Sequence, residues 1–253
     1  MTSRSPRFRP IFMEVFESLD RQGPGNRDNA RRALELCENL PDRPQVLDLG
    51  CGVGTQSLYV AELTGGTVTA VDTEPVLLER FKRRVEELGL SDRIRPVLGD
   101  MADLGMPDES VDLVWSEGAL YNLGIERALG VCRHLLRPGG YLAFTEAVWT
   151  KSNPPEHVVE MFGYPGMGSV GDIVAAAQRT GFDLVGNFPI SADAWLDDFY
   201  VPMQARIAEL ERAYTGDVEA LAILREIRRE PESYREFGSF YDYEFFVLRR
   251  PIE

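Results

Sequence analysis

The amino-acid sequence predicts an α/β fold built on a parallel, doubly wound sheet. Short apolar segments rich in β-branched residues alternate along the chain with segments whose apolar residues recur at helical spacing. This alternation is typical of parallel sheets, because parallel neighbours need a crossover connection. The 253 residues are enough for one substantial core and do not require two independent domains.

The region before the first strand, residues 1–42, is predicted to form an N-terminal helical cap. Apolar residues at helical spacing predict one helix over 11–19 and a second over 26–40. Between them, the sequence Arg-Gln-Gly-Pro-Gly at 21–25 interrupts the pattern and predicts a turn.

The core is expected to comprise residues 43–190 and 240–253. Its strands are predicted from β-branched or aromatic runs bounded by turn residues, and amphipathic helices are predicted over 75–88 and 170–180. The predicted strands are 46–49, 68–71, 94–98, 111–115, 141–145, 182–190 and 241–249.

Residues 191–239 separate the last two predicted strands. Their apolar spacing predicts helices over 195–214 and 218–227. Two paired strands need only a short hairpin, so this segment is predicted to be an added helical insertion. Together with a proline- and glycine-rich loop over 149–168, it is the candidate substrate lid, because ligands of open α/β sheets bind beyond the carboxyl ends of the strands.

The charge of the chain argues against a nucleic-acid partner. With 27 basic and 41 acidic residues, the formal net charge is −14. Binding a polyanion requires a clustered basic patch, whereas the basic runs at 82–84 and 225–229 are interleaved with glutamates. We therefore expect no nucleic-acid partner.

Cysteine usage and hydropathy indicate a cytoplasmic location. The three cysteines are too few and too scattered for a disulfide framework or a zinc cluster, so we expect no metal and a reducing compartment. The sequence contains no long apolar stretch and no signal-peptide pattern, so no membrane partner is expected.

Gly50, Gly52 and Gly54 follow the first predicted strand at alternate positions. Such glycines let the chain turn sharply into a helix and let a ligand approach main-chain N–H groups. The spacing differs from the G-x-G-x-x-G pattern of dinucleotide sites. Asp48 would repel a pyrophosphate but suits a ligand with an ammonium and a sulfonium, the charge pattern of S-adenosylmethionine. A glycine turn alone also occurs as a plain strand–helix connection.

Two further predicted strands lead into acidic residues. The carboxylate of Asp72 can accept both ribose hydroxyls of an adenosine ligand. Asp100 and Met101 would offer an acceptor and an apolar side chain to an adenine. Asp48 and Asp72 taken singly could be helix caps. Three acidic strand ends in this order are more specific than any glycine motif alone.

With these motifs, the chain resembles a class I S-adenosylmethionine-dependent methyltransferase of the small-molecule type, similar to the quinone-biosynthesis methyltransferases. The resemblance implies a Rossmann-like seven-stranded sheet, mostly parallel with an antiparallel last strand, flanked by helices. Residues 22–25 also resemble a loop that closes over the cofactor in relatives of this type, the alternative being a plain turn. The matching segments are 46–54, 68–72, 97–101, 110–120 and 135–146.

The resemblance also implies the cofactor S-adenosylmethionine, its product S-adenosylhomocysteine and the residues that bind them. The three glycines line the cofactor, Asp72 holds the ribose and Asp100 reaches the adenine amine. Cys51 is expected to be a small buried filler rather than a nucleophile. The predicted cofactor-binding residues are Asp48, Gly50, Cys51, Gly52, Gly54, Gln56, Asp72, Thr73, Asp100, Met101, Glu117 and Gly118.

The candidate catalytic residues are Glu117, Tyr121, Glu146 and His157. Methyl transfer needs an aligned nucleophile and, where the nucleophile has a high pKa, a group that removes its proton. Glu117 could be that base, bind a cationic substrate or contact the cofactor, and Glu146 competes for the same roles. His157 lies in the 149–168 loop, where it is either a proton-transfer group or plain surface.

These observations predict an enzyme that moves a methyl group from S-adenosylmethionine to oxygen, nitrogen or carbon of a small molecule. The segment 115–122 lacks the Asn/Asp-Pro-Pro-Tyr/Phe pattern, which argues against methylation of DNA bases or protein amides. The alternatives are a non-catalytic S-adenosylmethionine-binding or regulatory protein and, less favoured by the glycine spacing, a nicotinamide-dependent oxidoreductase. The oligomeric state, monomer or homodimer, is left open. Some aromatic residues could line the acceptor pocket, the alternative for each being a place in the core: Tyr121, Trp149, Tyr164, Trp195 and Tyr200.

Overall fold

The computed structural model describes residues 5–164 and 166–252, and its centre is a seven-stranded sheet. The strand order is β3-β2-β1-β4-β5-β7-β6. The strands are β1 (Gln45–Leu49), β2 (Thr67–Asp72), β3 (Ile94–Leu98), β4 (Val111–Glu117), β5 (Leu136–Trp149), β6 (Asp183–Pro189) and β7 (Tyr241–Arg249). Residues 1–4 of the predicted cap, Pro165 of the predicted loop and Glu253 of the predicted core lie outside the described residues.

All strands except the last run in one direction. β7 inserts between β5 and β6 and is antiparallel to both. The predicted Rossmann-like sheet with an antiparallel last strand is therefore confirmed. Its order reverses at β1, which pairs with β2 on one side and β4 on the other. The carboxyl ends of β1 and β4 flank this reversal, the usual ligand position in open α/β sheets.

Helices cover both faces of the sheet. They are α1 (Phe8–Phe16), α2 (Arg27–Glu35), α3 (Thr55–Thr64), α4 (Pro75–Glu87), α5 (Ile125–Leu135), α6 (Glu156–Phe162), α7 (Val170–Arg179), α8 (Ala192–Trp195), α9 (Val201–Ala213) and α10 (Val218–Phe237). Helices α1 to α4 and α8 to α10 contribute to one apolar core layer, for example through Phe81. Helices α5 and α7 pack on the other layer, for example through Leu129.

Several boundaries differ from the predicted ones. Helix α2 ends at Glu35 rather than at 40, and the turn-forming residues Asn39 and Pro41 follow it. The loop predicted over 149–168 contains α6, which ends at Gly163 in the left-handed conformation. The helix predicted over 195–214 is divided by a π-helical turn, Leu196–Tyr200, between α8 and α9.

Strand β5 and helix α10 are both longer than predicted. β5 begins at Leu136, five residues before its predicted start, because Leu136 pairs with Val111 of β4. The register then shifts, and pairing with β4 resumes at Tyr141. Helix α10 continues to Phe237 through Pro231, whose side chain is buried. Among the described helices, none is both long and apolar enough to span a membrane.

Candidate functional site

The glycine turn after β1 makes close contacts that only glycine permits. Gly50 has a φ of +75°, and a Cβ there would lie 2.2 Å from the Cβ of Ala119, in the segment after β4. Gly54 has a φ of +76°, and its Cβ would lie 2.1 Å from the ring of Phe81. Gly50 therefore lets the two strand ends approach at the sheet reversal, while Gly54 is explained by packing against α4.

Asp48 is buried beneath this turn, 1% exposed. The hydroxyl of Ser57 donates to its Oδ2 at 2.5 Å, and its Oδ1 has no hydrogen-bond partner among the described residues. Burial raises the pKa of Asp48 to about 7, and the nearby carboxylates of Glu117 and Asp72 act in the same direction. An unpaired buried carboxylate oxygen at this position fits a ligand that carries positive charge.

Asp72 ties the end of β2 to the glycine turn. Its Oδ2 accepts the N–H of Gly52 at 2.7 Å, and its Oδ1 accepts the N–H of Glu74 at 2.9 Å. Each carboxylate oxygen has a further lone pair, so both can still accept a hydroxyl from a ligand. Asp72 and the following Thr73 both line the adjacent cleft.

The cleft lies above the sheet reversal and has a volume of about 810 Å³. Most of the predicted site residues line it: Gly50, Cys51, Gly52, Gln56, Asp72, Thr73, Asp100, Met101, Glu117, Gly118 and Tyr121. Four predicted residues are not among its lining residues: Asp48, Gly54, Glu146 and His157. The structure thus brings the ends of β1, β2, β3 and β4 to one cavity.

Residues 20–24, between α1 and α2, cover one edge of the cleft. Gln22 accepts the N–H of Val53 through Oε1 at 3.1 Å and donates through Nε2 to the carbonyl of Phe16 at 2.9 Å. The hydroxyl of Thr55 donates to the carbonyl of Asp20 at 2.5 Å. This segment is therefore bonded directly to the turn after β1 and to the start of α3.

Arg21 and Glu117 form a buried ion pair in the cleft wall. Their side chains are 7% and 3% exposed, and Nη2 of Arg21 donates to Oε2 of Glu117. The other oxygen of Glu117 accepts from the indole N–H of Trp115 at 2.9 Å. Both oxygens of Glu117 are thus engaged. In contrast, the buried Nη1 of Arg21 has no partner among the described residues.

Sequence reasoning missed Arg21 as a site residue. It lies 96 positions from Glu117, and no local pattern links the two. Gly25 is the one feature of the sequence that relates to this contact. A Cβ on Gly25 would lie 2.3 Å from Nη2 of Arg21 and 2.5 Å from Oε2 of Glu117, so only glycine leaves room for the ion pair.

Glu146 is buried near the end of β5, 1% exposed, behind the cleft wall. Neither of its carboxylate oxygens has a hydrogen-bond partner among the residues described. Burial raises its pKa to about 8, and the nearby Tyr164 and the N–H of Ala147 oppose this rise, although neither donor meets hydrogen-bond geometry to Glu146. The ring of Tyr164 lies 5.5 Å from that of Tyr121, which lines the cleft. Burial also raises the pKa of Tyr121, and the charge of Glu146 adds to this effect.

His157 lies on α6, and its ring packs edge-on against Phe237 of α10, with the centroids 4.7 Å apart. It is therefore on a helix rather than in an open loop, and the structure does not bring it to the cleft lining. No group of three or more side chains suited to a metal ion occurs in residues 5–164 and 166–252.

The chain is similar in sequence to known methyltransferases. Residues 46–140 match the family described as a methyltransferase domain. The sterol 24-C-methyltransferase of Pneumocystis carinii is 28% identical over 168 residues, 62% of this chain and 45% of that protein. The sarcosine/dimethylglycine N-methyltransferase of Aphanothece halophytica is 31% identical over 159 residues, 61% of this chain and 57% of that protein. The chain thus spans about half the length of these relatives.

Solved structures share the fold over nearly the whole chain. A methyltransferase from Geobacter sulfurreducens in complex with S-adenosylhomocysteine has a TM-score of 0.81 at 23% identity, covering 94% of this chain and 97% of that one. A putative sarcosine dimethylglycine methyltransferase from Galdieria sulphuraria has a TM-score of 0.77 at 18% identity, covering 97% and 98%. At these identities the likeness concerns the fold.

Proposed function

We propose that this chain, whose residues 46–140 belong to the methyltransferase-domain family, transfers a methyl group from S-adenosylmethionine to a small molecule. The observation that carries the proposal is the convergence of the glycine turn, Asp72 and the Asp100–Met101 pair on one cleft at the sheet reversal. Such a convergence suits the three parts of the cofactor: its methionine portion, its ribose and its adenine.

Each part of the cofactor has a proposed partner. The ribose hydroxyls donate to Asp72, whose Oδ2 also accepts the N–H of Gly52 in the glycine turn and whose Oδ1 accepts the N–H of Glu74. Asp100 and Met101 line the cleft and would hold the adenine, with the carboxylate of Asp100 accepting from its amine. The positively charged portion lies over the turn that covers Asp48, where a buried oxygen lacks a partner. When bound, the cofactor supplies an electrophilic methyl group.

We further infer that Arg21 binds the carboxylate of the cofactor's methionine portion. Its Nη1 is buried and unpaired, and a guanidinium matches a carboxylate in geometry and charge. Glu117 then serves to hold Arg21 in position, since both of its oxygens are already engaged. In this arrangement Glu117 supports the cofactor site through Arg21 and is not the group that removes a proton.

A cavity of about 810 Å³ falls within the range of small-molecule sites. The helical insertion, residues 191–239, and residues 149–168 are the proposed lid over the acceptor, with residues 1–42 as the cap and residues 43–190 and 240–253 as the core. A small-molecule partner without nucleic acid also agrees with the net charge of −14. Three buried free cysteines agree with the proposed cytoplasmic, reducing location.

Isothermal titration calorimetry with two ligands tests the cofactor assignment. We expect S-adenosylhomocysteine to bind and NADH not to bind, because the glycine spacing and Asp48 disfavour a pyrophosphate at the glycine turn. Binding of NADH without binding of S-adenosylhomocysteine would favour the oxidoreductase alternative. Binding of S-adenosylhomocysteine without methyl transfer to any acceptor would favour the non-catalytic alternative.

A further inference from the structure

Tyr243, on β7, reaches the cleft across the neighbouring strand. It lies opposite Ala147 of β5, and the register places Thr145 of β5 beside Glu117 at the end of β4. A Cβ built on Gly118, the residue after Glu117, would lie 3.3 Å from the hydroxyl oxygen of Tyr243. The phenol ring therefore crosses β5 at the small side chain of Ala147, and its hydroxyl ends beside β4.

Gly118 favours this approach of the tyrosine. Its φ is +63°, a backbone conformation that favours glycine, and a Cβ there would also lie 3.6 and 3.7 Å from ring carbons of Tyr243. The next residue, Ala119, is the one that approaches Gly50 in the turn after β1. The hydroxyl of Tyr243 therefore lies at the same strand end as the glycine turn, and Gly118 and Tyr243 both line the cleft.

The position of Tyr243 in the sheet puts it on the side of the cleft opposite the proposed adenosine partners. Asp72 and Asp100 lie at the ends of β2 and β3, whereas β4, β5 and β7 lie on the other side of β1. With the adenosine directed toward β2 and β3, an acceptor reaches the sulfur from the side of β4 and β7, since the cofactor itself fills the other side. An in-line displacement requires the acceptor atom to be held there.

The hydroxyl of Tyr243 is available to a ligand. The backbone of this residue is already bonded, because its N–H donates to Asp242 at 2.8 Å and its carbonyl accepts the N–H of Ile190 at 3.0 Å. The hydroxyl, in contrast, makes no hydrogen bond to any residue in 5–164 or 166–252. Burial raises its pKa well above the ordinary value, so it remains a neutral hydroxyl that can both accept and donate.

The helical insertion holds the ring of Tyr243 in place. Trp195 of α8 packs against it with 5.1 Å between the ring centroids, and the indole N–H of Trp195 donates to Asp242 at 2.8 Å. Asp242 thus binds both the backbone of Tyr243 and the ring that packs on Tyr243. A phenol fixed in this way presents its hydroxyl in one direction, as an orienting group must.

We propose that Tyr243 orients the methyl acceptor: an O–H or N–H of the acceptor donates a hydrogen bond to its hydroxyl oxygen. A lone pair of that same acceptor atom then faces the transferred methyl group. This inference rests on the proposed methyl-transfer function and names its acceptor class, an alcohol, a phenol or an amine. An alkene carbon offers no such donor and would leave the hydroxyl unpaired, which is unfavourable in a closed site.

Sinefungin tests the position of the Tyr243 hydroxyl without knowledge of the acceptor. In this analogue of S-adenosylmethionine, a carbon that carries an ammonium group replaces the methylated sulfur, so N–H donors stand where the methyl group would be. S-adenosylhomocysteine has no group there. By calorimetry, we expect Tyr243→Phe to weaken sinefungin binding about 10-fold or more, because a hydrogen bond from a charged donor is lost. Binding of S-adenosylhomocysteine should stay unchanged.

Tyr241→Phe is the matched control. Tyr241 lies on the same strand and the same face as Tyr243, two residues away, and its side chain is fully buried. It is not among the residues that line the cleft, so its hydroxyl does not reach a ligand there. We expect this variant to bind sinefungin and S-adenosylhomocysteine as the wild type does.

If Tyr243→Phe does not fold, the wild-type protein still gives a result. There, sinefungin should bind at least as tightly as S-adenosylhomocysteine, because its ammonium group donates to the hydroxyl of Tyr243. Sinefungin binding that is about 10-fold weaker than binding of S-adenosylhomocysteine would overturn the proposal, because the ammonium group would then find no acceptor at that position.

A labelled methyl group tests the acceptor class. The protein is incubated with S-adenosylmethionine that carries a labelled methyl carbon and with a cell metabolite extract, and the NMR chemical shift of that carbon identifies the atom that received it. We expect oxygen or nitrogen. A methyl group bonded to carbon or sulfur would overturn the proposed acceptor class.

Equal losses of affinity for sinefungin and S-adenosylhomocysteine in Tyr243→Phe, or no loss for either ligand, would overturn the role of Tyr243. In both cases, binding of S-adenosylhomocysteine to the wild-type protein leaves the proposed methyl-transfer function standing. Absence of that binding in the wild type would instead remove the function on which the proposal rests.

Discussion

Asp72 acts at two places within the proposed cofactor site. Its carboxylate accepts the N–H groups of Gly52 and Glu74, and in our proposal it also accepts the ribose hydroxyls. We predict that Asp72→Ala weakens binding of S-adenosylhomocysteine by roughly 1–3 kcal/mol, since hydroxyls and backbone donors lose their acceptor. Calorimetry measures this change. Asp108→Ala, at an exposed position outside the cleft, is the control, and equal affinities in the two variants would contradict the ribose assignment.

A substitution at Glu117 tests whether this residue is a structural carboxylate or a catalytic base. Because both its oxygens are engaged, we predict that Glu117→Gln lowers the affinity for S-adenosylhomocysteine about 10-fold, in line with the loss of a hydrogen bond between charged groups. Calorimetry and turnover measured together test this. Glu126→Gln removes an exposed ion pair with Arg179 and is expected to change neither. Reduced turnover at unchanged affinity would instead identify Glu117 as the base.

Residues of the site differ in how far the sequence could predict them. The roles of Gly50 and Asp72 could be predicted from the sequence, because they follow from the local spacing of glycines and acidic residues after the strands. Asp48 and Gly54 were expected at the cofactor, yet neither lines the cleft, since a linear motif does not say which side of a turn faces inward. Arg21 reaches the site by a contact across 96 positions, which no local pattern contains.

The segment between α1 and α2 holds Arg21 in the cleft wall, and Gly25 makes room for it. Gly25 has a φ of +147°, and a Cβ there would overlap Nη2 of Arg21 and Oε2 of Glu117. We predict that Gly25→Ala separates this ion pair and weakens S-adenosylhomocysteine binding by about 1.4 kcal/mol or more, since a buried charge loses its partner.

The control for this prediction lies outside the cleft, on α5. Gly130→Ala adds a methyl group that would meet no atom within 4 Å. We expect it to bind S-adenosylhomocysteine as the wild type does, again by calorimetry. If the two variants bind S-adenosylhomocysteine with equal affinity, the ion pair between Arg21 and Glu117 does not contribute to binding of the cofactor.

At the level of elements, the strands were easier to predict than the lid. The central strands β1 and β4 are buried over most of their length and are mainly apolar segments bounded by turn residues, which makes them recognisable in the sequence. Helix α6 was missed because Pro154 and Pro155 precede it and Gly163 ends it, so its composition resembles a loop. The extension of α10 past Pro231 depends on packing against the rest of the lid, which the sequence pattern does not contain.

The whole molecule should lose stability as the pH rises, in part through Glu146. Folding raises its pKa from the ordinary value of 4.5 to about 8. Between these values the folded state binds more protons than the unfolded state, so the free energy of unfolding falls as the pH increases. In Glu146→Gln this contribution is absent. We therefore compare the difference in Tm, variant minus wild type, at two pH values. We predict that this difference is larger at pH 8 than at pH 5 by about 3 °C or more.

Differential scanning calorimetry across this pH range measures the effect. Glu87→Gln, at an exposed position on α4, is the control and should follow the wild-type profile. If the Tm of wild type and the Tm of Glu146→Gln change with pH in the same way, Glu146 has an ordinary pKa and the prediction is wrong.

The overall architecture was predictable because strand–helix alternation restricts the topology to few arrangements. The antiparallel last strand came from family resemblance, as the run at 241–249 has no feature of its own that fixes direction.

The central claim is methyl transfer to a small molecule, and one labelling experiment tests it most directly. The purified protein is incubated with S-adenosylmethionine that carries an isotopically labelled methyl group, together with a cell metabolite extract. Mass spectrometry then follows the label. We predict label on a small molecule and formation of S-adenosylhomocysteine in equal amount. Absence of label from every small molecule, although S-adenosylhomocysteine binds to the protein in calorimetry, would contradict the account.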